Sequence, residues 1–300
     1  MKELLAHYGI TRQAHSQDKR RRQRRARLRT VYVGLMEQCR QLHPRMGLRK
    51  MYNQLQPEGI GRDAFIILGM QQGFRLLATA NHRRTTYAAV HQAYDNLLRD
   101  KVVTDVNQVW VSDLFYLEMQ GYHLYVVLVM DLYSRRIVGS AGGDYMRAEL
   151  FTKAMNRALV VRGIDDYAGR LIHHSDRGSQ YTSQAYTELL ESYGIRISMC
   201  ASVLENAHAE RVNGTIKNEY LRHYEGVNPA TVDGRAQKAE RAYNSRYHNS
   251  LASSPRAFED RLSALGPTDR QSYDVHVYTE TNTQKLDNLG QLSLFQMSDS

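Results

Sequence analysis

Three apolar stretches in immediate succession fix the architecture of the back half of the chain. Val109, Val111, Asp113, Phe115 and Leu117 alternate with Trp110, Ser112, Leu114, Tyr116 and Glu118, the period of two that belongs to a strand. Gly121 turns the chain, residues 122–132 form a second, nearly continuous apolar strand, and residues 136–141 form a third. Sequential strands with short turns make an antiparallel meander. The period then lengthens. Residues 147–161 read as a helix, 170–174 as a short strand, 183–193 as a helix, 195–199 as a strand and 207–223 as a helix. The order β-β-β-α-β-α-β-α predicts an α/β fold, a mixed sheet flanked by helices.

The front of the chain is built differently, and charge shows it. The net charge is +9, yet residues 1–100 alone carry 19 Lys and Arg against 7 Asp and Glu, while the remainder is slightly acidic. Such asymmetry points to nucleic-acid contact in front and another task behind. From Lys19 to Arg29, 8 of 11 residues are basic, including Arg20, Arg21, Arg22, Arg24, Arg25 and Arg27. Either phosphates neutralise this run or it stays a solvated basic helix or arm. Before it, residues 4–14 outline two short helices about Gly9, with Thr11 as the cap of the second.

Residues 31–80 read as helical. Leu48, Met51, Tyr52 and Leu55 make one apolar face, residues 57–61 break it, and Arg62 to Met70 resumes a helical pattern. Helix, short glycine-containing turn, helix is a DNA-reading outline. The apolar run from Ala64 to Gly69 argues equally for packing. Residues 81–104 are a polar connector, 105–262 the mixed-sheet core, and 263–300 a polar tail in which residues 273–278 could pair as a strand and 292–295 could anchor.

No run approaches the ~20 apolar residues of a membrane helix, and the opening lacks the apolar segment of a leader. Cys39 and Cys200 cannot build a disulfide framework or a four-ligand zinc site, so the expectation is a reduced, cytoplasmic protein without a membrane partner.

Three carboxylates carry the chemistry. Asp113 sits on an otherwise apolar strand face, where a buried charge costs several kcal/mol unless it is paired or bound to metal. Asp176 follows a strand directly, in His173-His174-Ser175-Asp176-Arg177-Gly178-Ser179-Gln180-Tyr181. Glu210 shares one helical face with Asn206, Asn213 and Lys217, wrong for a core and right for a polar site. Oxygen ligands suit hard divalent cations, and a pair of ions ~4 Å apart can serve phosphodiester transfer. Asp131, near the end of the second strand, is read as structural or supporting.

Several stretches together resemble a known family: Trp110–Asp113 through Tyr116; Val129-Met130-Asp131-Leu132-Tyr133-Ser134-Arg135-Arg136-Ile137-Val138-Gly139; His174 to Tyr181; Glu205-Asn206-Ala207-His208-Ala209-Glu210-Arg211; and Tyr243-Asn244 with Arg246, His248, Ser250-Leu251, Ser254-Pro255 and Phe258. In this order they are similar to the integrase core of insertion-sequence transposases, and to the second open-reading-frame product of the IS-three (IS3) family in particular, over residues 45–260. The resemblance implies a ribonuclease-H-like fold preceded by helix-turn-helix segments. It implies a catalytic triad of Asp113, Asp176 and Glu210 holding two Mg2+ or Mn2+ ions, and cleavage and strand transfer on double-stranded DNA, both the transposon's terminal inverted repeats and the target. It also implies a homo-oligomer on DNA, an upstream reading-frame product as partner or frameshift fusion, and work at the bacterial nucleoid.

DNA contacts are expected from Arg20, Arg21, Arg22, Arg24, Arg25, Arg27, Arg62, His174, Arg177, Asn206, Arg211, Asn213 and Lys217. Two departures from the family pattern stand out. The 33 residues between Asp176 and Glu210 are two fewer than usual, which makes Glu205 a competitor for the third position, and Tyr247 replaces a usual proline. The competing function is a catalytically inactive DNA-binding regulator derived from a transposase; a plain nuclease would cut without joining.

Overall fold

The computed structural model describes residues 11–77, 94–99, 101–119, 121–200, 206–270 and 272–274. The chain divides into two compact units, residues 1–80 and 81–300.

The first unit is helical. Helix α1 (Arg12–Leu42) opens on Thr11, whose Oγ1 accepts the Ala14 N–H at 3.1 Å. Its basic half is exposed, and its second half buries Tyr32, Met36 and Cys39. The boundary expected at residue 30 therefore falls inside one unbroken helix, because nothing between Lys19 and Leu42 offers a glycine or proline before Gly34, and that glycine is accommodated. Helices α2 (Leu48–Leu55) and α3 (Arg62–Gln71) complete the unit, joined by a turn in which Gln56 takes a left-handed conformation. Met51, Phe65 and Leu68 close its small core. The apolar run in α3 splits: Phe65, Leu68 and Gly69 face inward, while Ile67 and Met70 are more than half exposed. Of the two short helices expected about Gly9, the first lies outside the described residues, as does most of the connector; the second is the start of α1, with Thr11 as its cap.

The second unit is built on a sheet. After the two-residue strand β1 (Val102–Val103) come β2 (Val109–Met119), β3 (Tyr122–Asp131) and β4 (Ile137–Gly143), the expected meander. Helix α4 (Ala148–Arg162), β5 (Ile172–Ser175), α5 (Gln184–Ser192), β6 (Arg196–Met199) and α6 (Ala207–Thr215) follow. The helix foreseen to run to residue 223 changes pitch: Ile216–Tyr220 is a π-helical turn and Leu221–His223 a 3-10 turn. Helices α7 (Val232–Ser245) and α8 (Pro255–Leu262) follow, and β7 (Tyr273–Asp274) pairs antiparallel with β1.

The five-stranded sheet has the order β4-β3-β2-β5-β6, antiparallel through β4, β3 and β2 and parallel from β2 through β5 to β6. Alternation along β2 feeds two cores. Val109, Val111, Phe115 and Leu117 pack with Ala209, Val212 and Ile216 and with Val232, Ala236 and Ala239 of α7. On the opposite face Trp110, Val127 and Val129 pack with Phe151, Met155 and Ala158 of α4 and with Tyr186 and Leu190 of α5. Gly139 lets α4 approach this closely: a Cβ there would lie 2.2 Å from the Ala154 carbonyl oxygen and 2.9 Å from the Ala158 nitrogen. A sheet with helices on both faces is the ribonuclease-H-like α/β architecture expected from the sequence.

Candidate active site

Asp113 and Asp176 are brought together by strand register. β2 and β5 run parallel with Val111 opposite His174, and each carboxylate lies two residues further on. Neighbouring strands are ~4.8 Å apart and side chains two residues on return to the same face, so the two acids share one side of the sheet just beyond the paired stretch of β2 and β5. Asp113 keeps its place in β2 because Leu114 N donates to its Oδ1 at 2.8 Å and Asn213 Nδ2 donates to its Oδ2 at 2.9 Å. Asp176 Oδ1 accepts the Gly178 N–H at 3.0 Å.

Glu210 arrives from the helical layer. It lies in the first turn of α6, whose Ala209 and Val212, with Ile216 just after it, are buried on the sheet face that carries Asp113. Asn206 donates through Nδ2 to the Ser112 carbonyl oxygen at 3.1 Å, which fixes the helix start against β2.

The electrostatics record this convergence. Burial, then the charge of Asp176, and further the charge of Glu210 push the Asp113 carboxyl up to about 8, against the bonds from Leu114 and Asn213 that favour its ionised form. Burial raises Asp176 as well, against its bond from Gly178. Among the described residues no three His, Cys, Asp or Glu side chains close on one point as a finished metal-ligand group. The donor set nevertheless fits a hard divalent cation: all three groups offer carboxylate oxygen, and their mutual repulsion at Asp113 is what a cation offsets. Glu205 lies outside the described residues.

The remaining sequence-derived site residues divide by burial. His174 is buried, its Nδ1 2.9 Å from Ser198 Oγ. Asn206 and Asn213 are only 3% and 5% exposed, their Nδ2 atoms bonded to β2. The helical face that carries them meets the sheet rather than solvent, so here these three side chains serve the fold and Asp113, not an outside ligand. Arg211 is exposed and Arg177 partly so. Arg62 is exposed beside Asp63, their atoms 2.9 Å apart. Arg20, Arg21, Arg22, Arg24, Arg25 and Arg27 line the exposed half of α1.

Lys217 is partly buried with Nζ 5.1 Å from the centre of the Tyr116 ring; burial, and then Arg222, lower its pKa. Tyr116, quoted in the sequence only within a motif, points to the other face of β2 from Asp113, so periodicity gave no signal that Lys217 would cover it. His173 is also buried, its Nε2 3.1 Å from Tyr186 Oη, and burial followed by the neighbouring His174 holds it down at about 3. It therefore stays neutral and belongs to the core. Asp131 is structural: wholly buried, it accepts from Asn107 N at 2.7 Å and Ser134 N at 2.9 Å, and lies 3.4 Å from Arg162.

The chain is similar to several known proteins. Residues 103–203 match the family described as "Integrase core domain". A protein of Shigella sonnei, "Insertion element IS600 uncharacterized 31 kDa protein", is 37% identical over 228 residues, 73% of this chain and 83% of the relative. A "Putative transposase for insertion sequence element IS986/IS6110" of Mycobacterium tuberculosis is 35% identical over 185 residues, 59% of this chain and 66% of the relative. "Transposase InsF for insertion sequence IS3A" of Escherichia coli is 30% identical over 183 residues, 59% and 62% of the two chains. The chain thus spans a little under two thirds of these last two relatives. Among solved structures, the HTLV-2 integrase catalytic core domain in complex with magnesium covers 51% of this chain and 95% of its own, at 20% identity and a TM-score of 0.41.

Proposed function

The chain belongs to the IS3 family of insertion-sequence transposases, whose function is DNA transposition, and we propose that it cuts and joins DNA at the ends of its element through Asp113, Asp176 and Glu210. One observation carries the assignment of residues: Asp113 is driven up to about 8 by burial and by the charges of Asp176 and then Glu210. Asp176 beside it at the end of the parallel strand pair, and Glu210 from the helical layer, do not serve stability, since their charges raise the free energy of the ionised Asp113.

Asp113, Asp176 and Glu210 would hold Mg2+ or Mn2+, two ions in each site. When bound, such ions activate an attacking oxygen and stabilise the leaving oxygen of a phosphodiester. The protein's own side chains do the rest. Leu114 N and Asn213 Nδ2 aim the two oxygens of Asp113 and favour its ionised, ligating form. Gly178 N does the same for Asp176. Lys217, over Tyr116 in the π-helical turn that follows α6, meets a phosphate of the strand being processed, as do Arg177 and Arg211, next in sequence to Asp176 and Glu210. Arg20, Arg21, Arg22, Arg24, Arg25 and Arg27 supply sequence-independent phosphate contacts from α1. The α2–turn–α3 outline with Arg62 reads the terminal inverted repeat. The substrates are double-stranded element ends and target DNA, taken by a homo-oligomer at the nucleoid in the bacterial cytoplasm, with an upstream reading-frame product as partner or fusion. Among the described residues no helix is long and apolar enough to cross a membrane.

The test uses end DNA with Mn2+. Asp113→Asn, Asp176→Asn and Glu210→Gln should each abolish cleavage and joining while DNA affinity stays near that of the unaltered protein. Strand transfer that survives in any of the three removes that residue from the triad. If the unaltered protein binds end DNA yet never cuts it in Mn2+, the chain is an inactive regulator; cutting without joining makes it a nuclease.

A further inference from the structure

The turn between β3 and β4 holds a non-glycine residue in a left-handed conformation, Arg135 at φ +60°. Such backbone persists where the surroundings over-determine it. Here they do so from both sides. Asp131 Oδ1 accepts from Tyr133 N at 3.1 Å and Ser134 N at 2.9 Å, and Asp131 N donates to the Arg136 carbonyl at 2.8 Å. Ser134 Oγ and Arg136 Nη1 each donate to Glu259 of α8 at 2.6 Å. The residue gripped between them sends its guanidinium to α6, where Nη1 lies 3.2 Å from His208 Nδ1. A guanidinium can only donate, so Nδ1 is the accepting nitrogen.

What this interaction does follows from the helix it meets. Asn206 occupies the N-cap of α6 but makes no capping bond, its side chain being turned to Ser112. Without a cap from its own N-cap side chain, a helix start depends on contacts from elsewhere to stay in place. Glu210 lies in that turn. Asn206 and Asn213 are seven residues apart and share one side of the helix, with Glu210 near them. At ~100° per residue, His208 falls on the opposite side. The first turn is thus gripped from β2 on one side and from the β3–β4 turn on the other.

We propose that Arg135 is a positioning residue, which through His208 holds the first turn of α6 in register and so aims Glu210 at Asp113 and Asp176. This rests on the reading of Glu210 as the third carboxylate. Arg135 need not touch DNA or metal to act.

Arg135→Gly is the informative variant, because glycine accepts the left-handed backbone and the side chain is removed without new strain. In the metal-free protein, amide hydrogen exchange over residues 207–213 should quicken at least tenfold, with the melting temperature unchanged or higher. In Mn2+ the cleavage rate at saturating end DNA should fall at least tenfold, while KM for that DNA stays within twofold. His208→Ala should reproduce this, and the double variant should be no slower than the slower single one. Arg135→Lys, which retains a donor, should recover part of the rate. Glu210→Gln is measured beside them.

An unaltered rate in Arg135→Gly beside an inactive Glu210→Gln overturns the positioning role alone. Multiplying losses in the double variant overturn it too, as does a rise in KM with a flatter salt dependence, which would make Arg135 a phosphate ligand. A melting temperature that falls with the rate, unrelieved in Arg135→Lys, overturns it in favour of a plain structural role. An active Glu210→Gln overturns both this proposal and the triad.

Discussion

Asp113 occupies a position in β2 where Val111 and Phe115 on either side are buried hydrophobics, and its carboxyl is raised from 3.8 to about 8. That raised value makes a stability prediction independent of catalysis. A carboxyl raised in the folded state stabilises the fold fully below its unfolded value, and the contribution is lost as pH rises through the folded one. Metal-free protein should therefore lose stability between about pH 4 and pH 8, and Asp113→Asn should flatten that decline. The gain at pH 8 should be on the order of 1–2 kcal/mol, allowing for the partial solvent access of the site. Thermal melts with a chelator across this range check it; an equally steep decline in the variant would assign the effect elsewhere. Lys217 belongs to the same scale. Its ammonium lies over an aromatic ring, a pairing that leaves its donors available. Lys217→Ala should reduce crosslinking to the terminal phosphates of end DNA while distal contacts persist; an undiminished yield would leave the lysine as a cover for Tyr116.

Helix α1 and helix α6 show how an element can carry a task that its separate residues do not announce. The basic half of α1 has no buried side chain, so its arginines are available to phosphates without any rearrangement of the core. Neutralising four of Arg20, Arg21, Arg22, Arg24, Arg25 and Arg27 should weaken binding to any duplex. The log–log salt dependence should flatten by about 0.9 for each phosphate that is no longer neutralised, with preference for the element's ends retained. Titration from low to moderate salt decides it, since an unchanged slope means the run is only solvated. In α6 the reverse holds. The amphipathic reading placed Asn206, Glu210, Asn213 and Lys217 on one face, which the structure keeps for the first three, but that face meets β2. Periodicity shows that residues share a side of a helix; it does not show what that side faces.

At the scale of the whole molecule, the second unit is closed by interactions distant in sequence. Glu259 of α8 takes both guanidinium nitrogens of Arg162, at 2.9 and 2.7 Å, together with Arg136 and Ser134. Burial alone would raise Glu259, but the bonds and charge of Arg162, then Ser134 and Arg136, hold it below its usual 4.5. A carboxyl lowered in the folded state supplies stability above its unfolded value, and this is lost as pH falls through the folded one. Glu259→Gln should therefore lower the urea midpoint at pH 7 by the equivalent of about 1–3 kcal/mol and lose less further stability below pH 4.5 than the unaltered protein does. An unshifted midpoint would show that the network is replaceable. Much of this protein was determined by its sequence. The alternation in β2, the glycine turn after it and the change to helical period dictate the mixed sheet, because burial of apolar faces follows from period alone. The candidate carboxylates stand out in the sequence for a related reason: Asp113, Asp176 and Glu210 sit in contexts that would otherwise be core, strand end and helix face. What tertiary structure decided is which groups meet. The parallel register of β2 with β5 sets Asp176 beside Asp113, the packing of α6 turns Asn206 and Asn213 inward, and the over-determined turn at Arg135 reaches His208. Each of these joins residues tens of positions apart, and periodicity within one segment carries no information about its neighbour in space.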